Sequence, residues 1–144
     1  MRLAVRRLSP DARMPTRSYD ADAGFDLYAA EAATLRSGQR ASVRTGIAVE
    51  VPERHAGLVL PRSGLAAEHG IALANAPGLI DSGYRGEVRI LLLNTDPDHD
   101  FEIAPGDRIA QLLIVRIEAP DVVEVEELEP SERGERGFGS SGRR

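Results

Sequence analysis

The chain has 144 residues, a net charge of −5 and no cysteine, a length that suits one domain able to bury a core without cross-links. The missing cysteine excludes a disulfide scaffold, a cysteine-based zinc site and a thiol nucleophile. All 18 basic residues are arginine, which also excludes a lysine nucleophile and a Gly-Lys-Ser/Thr phosphate loop. A net-negative chain matches duplex nucleic acid poorly, and no apolar run approaches the roughly 18 residues of a membrane span. Met1 to Pro10 is basic but lacks the apolar stretch of a signal peptide. A cytoplasmic protein with no nucleic-acid or membrane partner is expected.

In chain order, the first notable element is Ala23-Gly24-Phe25-Asp26-Leu27-Tyr28, where an acid sits inside an apolar strand. Such an acid needs a partner, an arginine or a nearby metal. Val43, Thr45, Ile47, Val49 and Val51 alternate with smaller or polar residues before Pro52, the period of a half-buried strand. Leu58-Val59-Leu60 precedes Pro61. Ser63 to Gly70 predicts two turns of helix, with Ser63 as N-cap and Gly70 as the stop. A hairpin is expected across Asn75–Gly86, where Pro77-Gly78 and Ser82-Gly83 mark tight turns. Val88 to Leu93 is nearly continuous in apolar residues and predicts a strand buried on both faces. Ile109 to Ile117 is another apolar run, and Val123, Val125 and Leu128 predict a last edge strand. Ser131–Arg144 is Gly, Ser, Arg and Glu with one aromatic, a composition typical of a mobile tail. The expected organisation is an all-β sandwich or barrel with one short helix over residues 1–130, and a tail over 131–144.

Several stretches can carry chemistry, and each has a plain structural alternative. The turn holding Asp81 and Tyr84 exposes backbone groups that can read a base edge, with an aromatic to stack on a sugar; it can equally be a surface hairpin with a solvated acid. Pro61-Arg62-Ser63-Gly64 joins an arginine, a hydroxyl and free helix N–H groups, either an anion site or a capped helix. Gln111 is an unexplained polar residue inside an apolar strand, after the Gly106-Asp107-Arg108 turn. Arg136, Phe138, Gly139, Ser140 and Ser141 resemble a phosphate loop without its lysine, or simply a tail. His55, His69 and His99 lack metal-ligand spacing and are expected on the surface.

Together and in this order, the stretches Ala23–Ala30, Pro61–Ala66, Asn75–Asn94, Gly106–Leu113 and Arg136–Gly142 resemble the trimeric dUTP diphosphatase (dUTPase) family. The resemblance covers most of the chain. It implies a jelly-roll-like β-barrel and a homotrimer whose three sites lie between subunits, with the C-terminal arm exchanged to close over the site. The implied reaction is hydrolysis of dUTP to dUMP and pyrophosphate, which keeps uracil out of DNA and supplies dUMP for thymidylate synthesis. Mg²⁺ is the implied cofactor, held by the phosphates and by water.

By the same resemblance Asp81 activates the water that attacks the α-phosphorus, and Asp26 reaches the metal only through water. Arg62, Ser63 and Gly64 form the phosphate-binding turn, and Gln111 contacts the α-phosphate. Asn75 and the backbone of Leu79, Ile80 and Asp81 read uracil; Tyr84 packs under the deoxyribose, where a 2′-hydroxyl would clash. Arg89 falls where some members touch substrate. Arg136, Phe138, Gly139, Ser140 and Ser141 form the arm. Leu79 departs from the threonine common at this place, a harmless change if only its backbone meets the base. The rival readings are a dCTP deaminase on the same fold, which needs a glutamate at the cytosine amine, and a nucleotide sensor without turnover.

Overall fold

The computed structural model describes residues 1–137. Ten strands and one helix follow in order: β1 (Ala4–Arg7), β2 (Gly24–Tyr28), β3 (Ala33–Leu35), β4 (Arg40–Glu50), β5 (His55–Leu60), α1 (Ser63–His69), β6 (Ile71–Leu73), β7 (Gly78–Ile80), β8 (Glu87–Asn94), β9 (Phe101–Ile103) and β10 (Arg108–Arg116). All pairings are antiparallel. They build one four-stranded sheet in the order β1-β4-β8-β6, a second in the order β2-β10-β5-β7, and a ribbon of β3 with β9. The architecture is therefore mostly β with one short helix. The ladders among the described residues form two sheets and a ribbon, not one continuous closed ladder. No helix among them is long and apolar enough to cross a membrane.

The core lies between the sheets. Leu27, Leu35, Ile47, Ile71, Ile90, Leu92, Ile109 and Leu112 are fully buried there. The alternation read over Val43–Val51 holds only in part: Val43, Thr45, Ile47, Val49 and Val51 are all buried, but so are Gly46 and Ala48, so the middle of β4 is covered on both faces. Thr45 satisfies its hydroxyl by donating to the Val88 carbonyl at 2.5 Å, as a buried polar group must. Asn94, also buried, donates to Leu35 O at 3.0 Å and His99 O at 2.8 Å and accepts from Asp96 N at 2.9 Å.

Four expectations are corrected. Arg62, with extended backbone, occupies the N-cap; Ser63 is already helical and makes no capping bond. The stop at Gly70 is as read, left-handed at φ 65° with its N–H on Ala66 O. The β8 run is buried on one face only: Val88, Ile90 and Leu92 point inward, while Arg89 and Leu91 are exposed. Val123–Leu128 forms no strand, and Val122, Val123, Val125 and Leu128 stand in solvent; a period-2 pattern makes a strand only where a neighbouring edge supplies its hydrogen bonds. Finally, the arms around Asp81 do not pair as a hairpin. β7 adds to β5 in one sheet and β8 to β4 and β6 in the other, so the chain turns a corner between sheets. Each arm pairs with its own sheet, β7 as an edge strand with one side of its backbone unpaired, and the gap between them stays open. Of the histidines, His69 and His99 are exposed, while His55 is half-buried and its Nδ1 lies 2.8 Å from Glu53 O.

Candidate active site

That gap is a cavity of about 340 Å³, at the small end of the range for small-molecule sites. Asn75, Leu79, Ile80, Asp81, Tyr84 and Arg89 all line it. Five of these sit on or beside the corner, where β7 and the following turn present them. The corner is held from within. Tyr84 N donates to Asp81 O at 3.1 Å. Arg85 donates to Ser82 O at 2.6 Å and Tyr84 O at 2.9 Å, and its other nitrogen binds Glu50 at 3.1 Å. Asp81 is exposed at the mouth. Leu79 is 65% exposed while its backbone lies in register with Leu58. Arg89 is pinned along the cavity wall, with Nε on Ser42 Oγ at 2.9 Å and Nη2 on Ser42 O at 3.2 Å.

A second cluster forms at the other end of the same sheet. Asp26 lies opposite Gln111 in the β2–β10 ladder, and each of its oxygens meets an arginine. Arg62 Nε is 3.2 Å from Oδ1 and Arg108 Nη1 is 3.2 Å from Oδ2. Arg62 also donates to Arg108 O at 3.3 Å. The acid inside the strand is thus explained by paired guanidinium groups, as buried charge requires. Gln111 donates from Nε2 to Pro61 O at 2.9 Å. Its Oε1 rests against Gly24, where any Cβ would stand only 2.8 Å away, so a glycine is needed for the strand and the amide to approach. Ser63 and Gly64 are exposed beside this cluster at the start of α1.

The two clusters are separate within one chain. Gln111 is in register with Leu60, at the end of β5 that leads to Arg62, whereas Ile80 is in register with Gly57. Two strand spacings and the offset along β5 put the Asp81 and Gln111 backbones on the order of 16 Å apart. No single phosphate reaches both. Arg136 takes part in neither cluster; it folds back on the Glu132 and Arg133 carbonyls. Phe138, Gly139, Ser140 and Ser141 lie outside the described residues.

Among the described residues no group of three or more His, Asp or Glu converges to ligate a metal directly. Asp26 has both oxygens engaged by arginines, but each carboxylate oxygen keeps a second lone pair. That donor set fits a cation reached through water, and does not fit direct coordination.

Two contributors escaped the sequence reading. Arg108 stands in the Gly106–Leu113 stretch, but nothing local reveals that its partner is 82 positions away. Glu87 lines the cavity and takes Arg44 Nε at 3.1 Å and Gly46 N at 2.9 Å, fastening the corner to β4. A glutamate opening an apolar strand was its only signal.

Comparison with known proteins points to one family. The dUTPase family profile matches residues 10–142. The deoxyuridine 5′-triphosphate nucleotidohydrolase of Thermobifida fusca is 52% identical over 142 residues, covering 99% of this chain and 79% of that protein. That of Mycobacterium tuberculosis is 50% identical over 145 residues, covering 97% and 94%. Among solved structures, the Staphylococcus bacteriophage 80alpha dUTPase with dUPNHPP superposes with a TM-score of 0.92 at 38% identity, over 98% of each chain. A mutant dUTPase from phage phi11 of S. aureus, with a structural Mg(II) ion, gives 0.84 at 33% identity over 90% of this chain and 100% of that one.

Proposed function

This chain belongs to the dUTPase family, and from that premise we propose that it hydrolyses dUTP to dUMP and pyrophosphate by attack of water on the α-phosphorus. The observation that carries the reading is the cavity between the sheets, with Asp81 at its mouth and Asn75, Leu79, Ile80 and Tyr84 around it. Its walls admit a flat base, and the exposed backbone and the Asn75 amide offer donors and acceptors to a uracil edge. Tyr84 lies where a ring can pack under the deoxyribose. Asp81, as a carboxylate, accepts a proton from the attacking water, whose oxygen bonds to the α-phosphorus as the bond to the pyrophosphate oxygen breaks. The proton then leaves to solvent. A single weak base contributes only part of such a rate, so alignment and charge stabilisation carry the remainder.

Those terms belong to the second cluster. Arg62, held by Asp26 through Nε and by the Arg108 carbonyl through Nη1, keeps Nη2 for a phosphate oxygen, and Gln111, with one amide hydrogen on Pro61 O, offers the other to the α-phosphate. Asp26 would hold Mg²⁺ through water, and the bound ion would supply charge neutralisation at the phosphate oxygens. With the two clusters roughly 16 Å apart in one chain by strand spacing, they can serve one triphosphate only if different copies bring them together. The homotrimer with sites between subunits satisfies that requirement. In it the jelly-roll-like barrel supplies residues 1–130, and the arm, 131–144, passes to a neighbour and closes the site with Arg136, Phe138, Gly139, Ser140 and Ser141. The exposed Leu91, Val122, Val123, Val125 and Leu128 support this assembly, because large apolar side chains left in solvent favour a partner.

The test is pyrophosphate release by the purified chain with Mg²⁺, comparing dUTP, dCTP, dTTP and UTP, with Asp81→Asn as control. Turnover of dUTP that vanishes in the variant is expected. Release of ammonia from dCTP would make the chain a deaminase. Tight dUTP binding without pyrophosphate would make it a sensor.

A further inference from the structure

Gly86 is not a glycine for backbone reasons. Its φ is not positive, unlike those of Gly38, Gly46, Gly70, Gly106 and Gly134, so its φ does not call for glycine. What excludes a side chain is the ring of Tyr84. A Cβ on Gly86 would stand 2.6 Å from Cζ and 3.0 Å from Cε2 of that ring, and closer still to its hydroxyl oxygen. The ring therefore lies across a bare Cα. Its hydroxyl donates to Glu87 O at 3.0 Å, and Glu87 is itself fixed, through its carboxylate, to Arg44 and to Gly46 N. Seat and tether thus belong to consecutive residues at the start of β8. With these two supports Tyr84 holds one position at the cavity wall although its side chain is 46% exposed.

We propose that Gly86 is a specificity-determining position. By seating the Tyr84 ring against a bare Cα while the Glu87 carbonyl tethers its hydroxyl, it sets how close the ring stands to the sugar, and so how strictly a ribose is refused. The proposal rests on the reading of Tyr84 as the sugar-facing ring. Steric refusal of one hydroxyl works only when the refusing wall cannot yield. An untethered ring half in solvent would swing aside; a ring whose phenol tip sits against the Gly86 backbone while its hydroxyl is tied does not.

The experiment measures kcat/KM for dUTP and UTP, by pyrophosphate release, in the full-length wild type, Gly86→Ala and Tyr84→Phe. The alanine methyl displaces the ring from its seat, and the phenylalanine removes the tether without adding volume. The dUTP-to-UTP ratio is expected to fall by about tenfold or more in Gly86→Ala, and in the same direction but less in Tyr84→Phe. A Gly86→Ala protein that melts cooperatively, turns over dUTP and keeps its ratio within about twofold of wild type overturns the proposal. If that variant does not fold, Tyr84→Phe decides, and an unchanged ratio there overturns it equally. A wild type that hydrolyses dUTP and UTP alike would instead remove the sugar-facing reading of Tyr84 itself, and the proposal with it, before any variant is compared.

Discussion

Replacing Asp26 with alanine tests the phosphate-side cluster in both stability and activity. The Asp26 side chain is 15% exposed, and its partners Arg62 and Arg108 are 27% and 45% exposed. Alanine leaves both guanidinium groups without an acceptor at this place. The Arg62 contact is the drier one and is worth about 1.5 kcal/mol, and the more exposed Arg108 contact about 0.5 kcal/mol, so the variant loses about 2 kcal/mol. For a chain of this size that lowers Tm by about 6 °C. Activity suffers separately. With its Nε released, Arg62 must be ordered again when substrate binds, at about 1 kcal/mol for one long side chain, so KM rises by about fivefold. Differential scanning calorimetry and steady-state kinetics on the same preparation read the two effects. A Tm within about 1 °C of wild type together with an unchanged KM would show that Asp26 does not hold Arg62, and the derivation of the phosphate site would fail.

Three further outcomes are expected. Asp81→Asn should lower kcat by about a thousandfold while dUTP affinity, read by calorimetric titration, changes less than about tenfold; equal losses in both would contradict its role as water activator. Removing Ser131–Arg144 should abolish most turnover and leave thermal stability unchanged, so a large drop in Tm would place that segment in the folded domain rather than at the site. Asp96 is held below the ordinary carboxylate range, first by the Asp98 N–H and then by His99. A depressed acid stabilises the fold above its unfolded value, near about pH 4, and loses that contribution as pH falls through its folded value. The stability gap between wild type and Asp96→Asn should therefore be widest at neutral pH and narrow below about pH 4; a gap that widens on acidification would reverse the assignment.

Much of the architecture was legible because local physics decided it. The alternation ending at Pro52, the helix stopped at Gly70 and the acid within Ala23–Tyr28 each correspond to something real in the fold. The misreadings share one cause, since each depended on what lies across from the segment. Val88–Leu93 read as buried on both faces because the chain is apolar at Leu91 as well as at Leu92, yet among the described residues Leu91 stays exposed. Val123–Leu128 has a strand's pattern but no edge to join. The corner at Asp81 read as a hairpin because turn residues are the same whether the two arms pair with each other or with different sheets. The site residues on the corner were readable as one stretch of sequence, whereas Arg108 and Glu87 act through distant partners, and no local spacing encodes a contact between residues 26 and 108.

The central claim is that one site is built from two clusters on different copies of the chain. Its most direct test mixes two inactive variants, Asp81→Asn and Arg62→Ala, refolds them together at equal amounts, and confirms mixed oligomers by native mass spectrometry before pyrophosphate release is measured. Each variant alone has every site damaged. In random mixed assemblies about a quarter of the interfaces join an intact Asp81 to an intact Arg62, so the mixture should recover about a quarter of the wild-type rate. A confirmed mixed oligomer as inactive as its two parents would mean that both residues act within a single chain, contrary to this account.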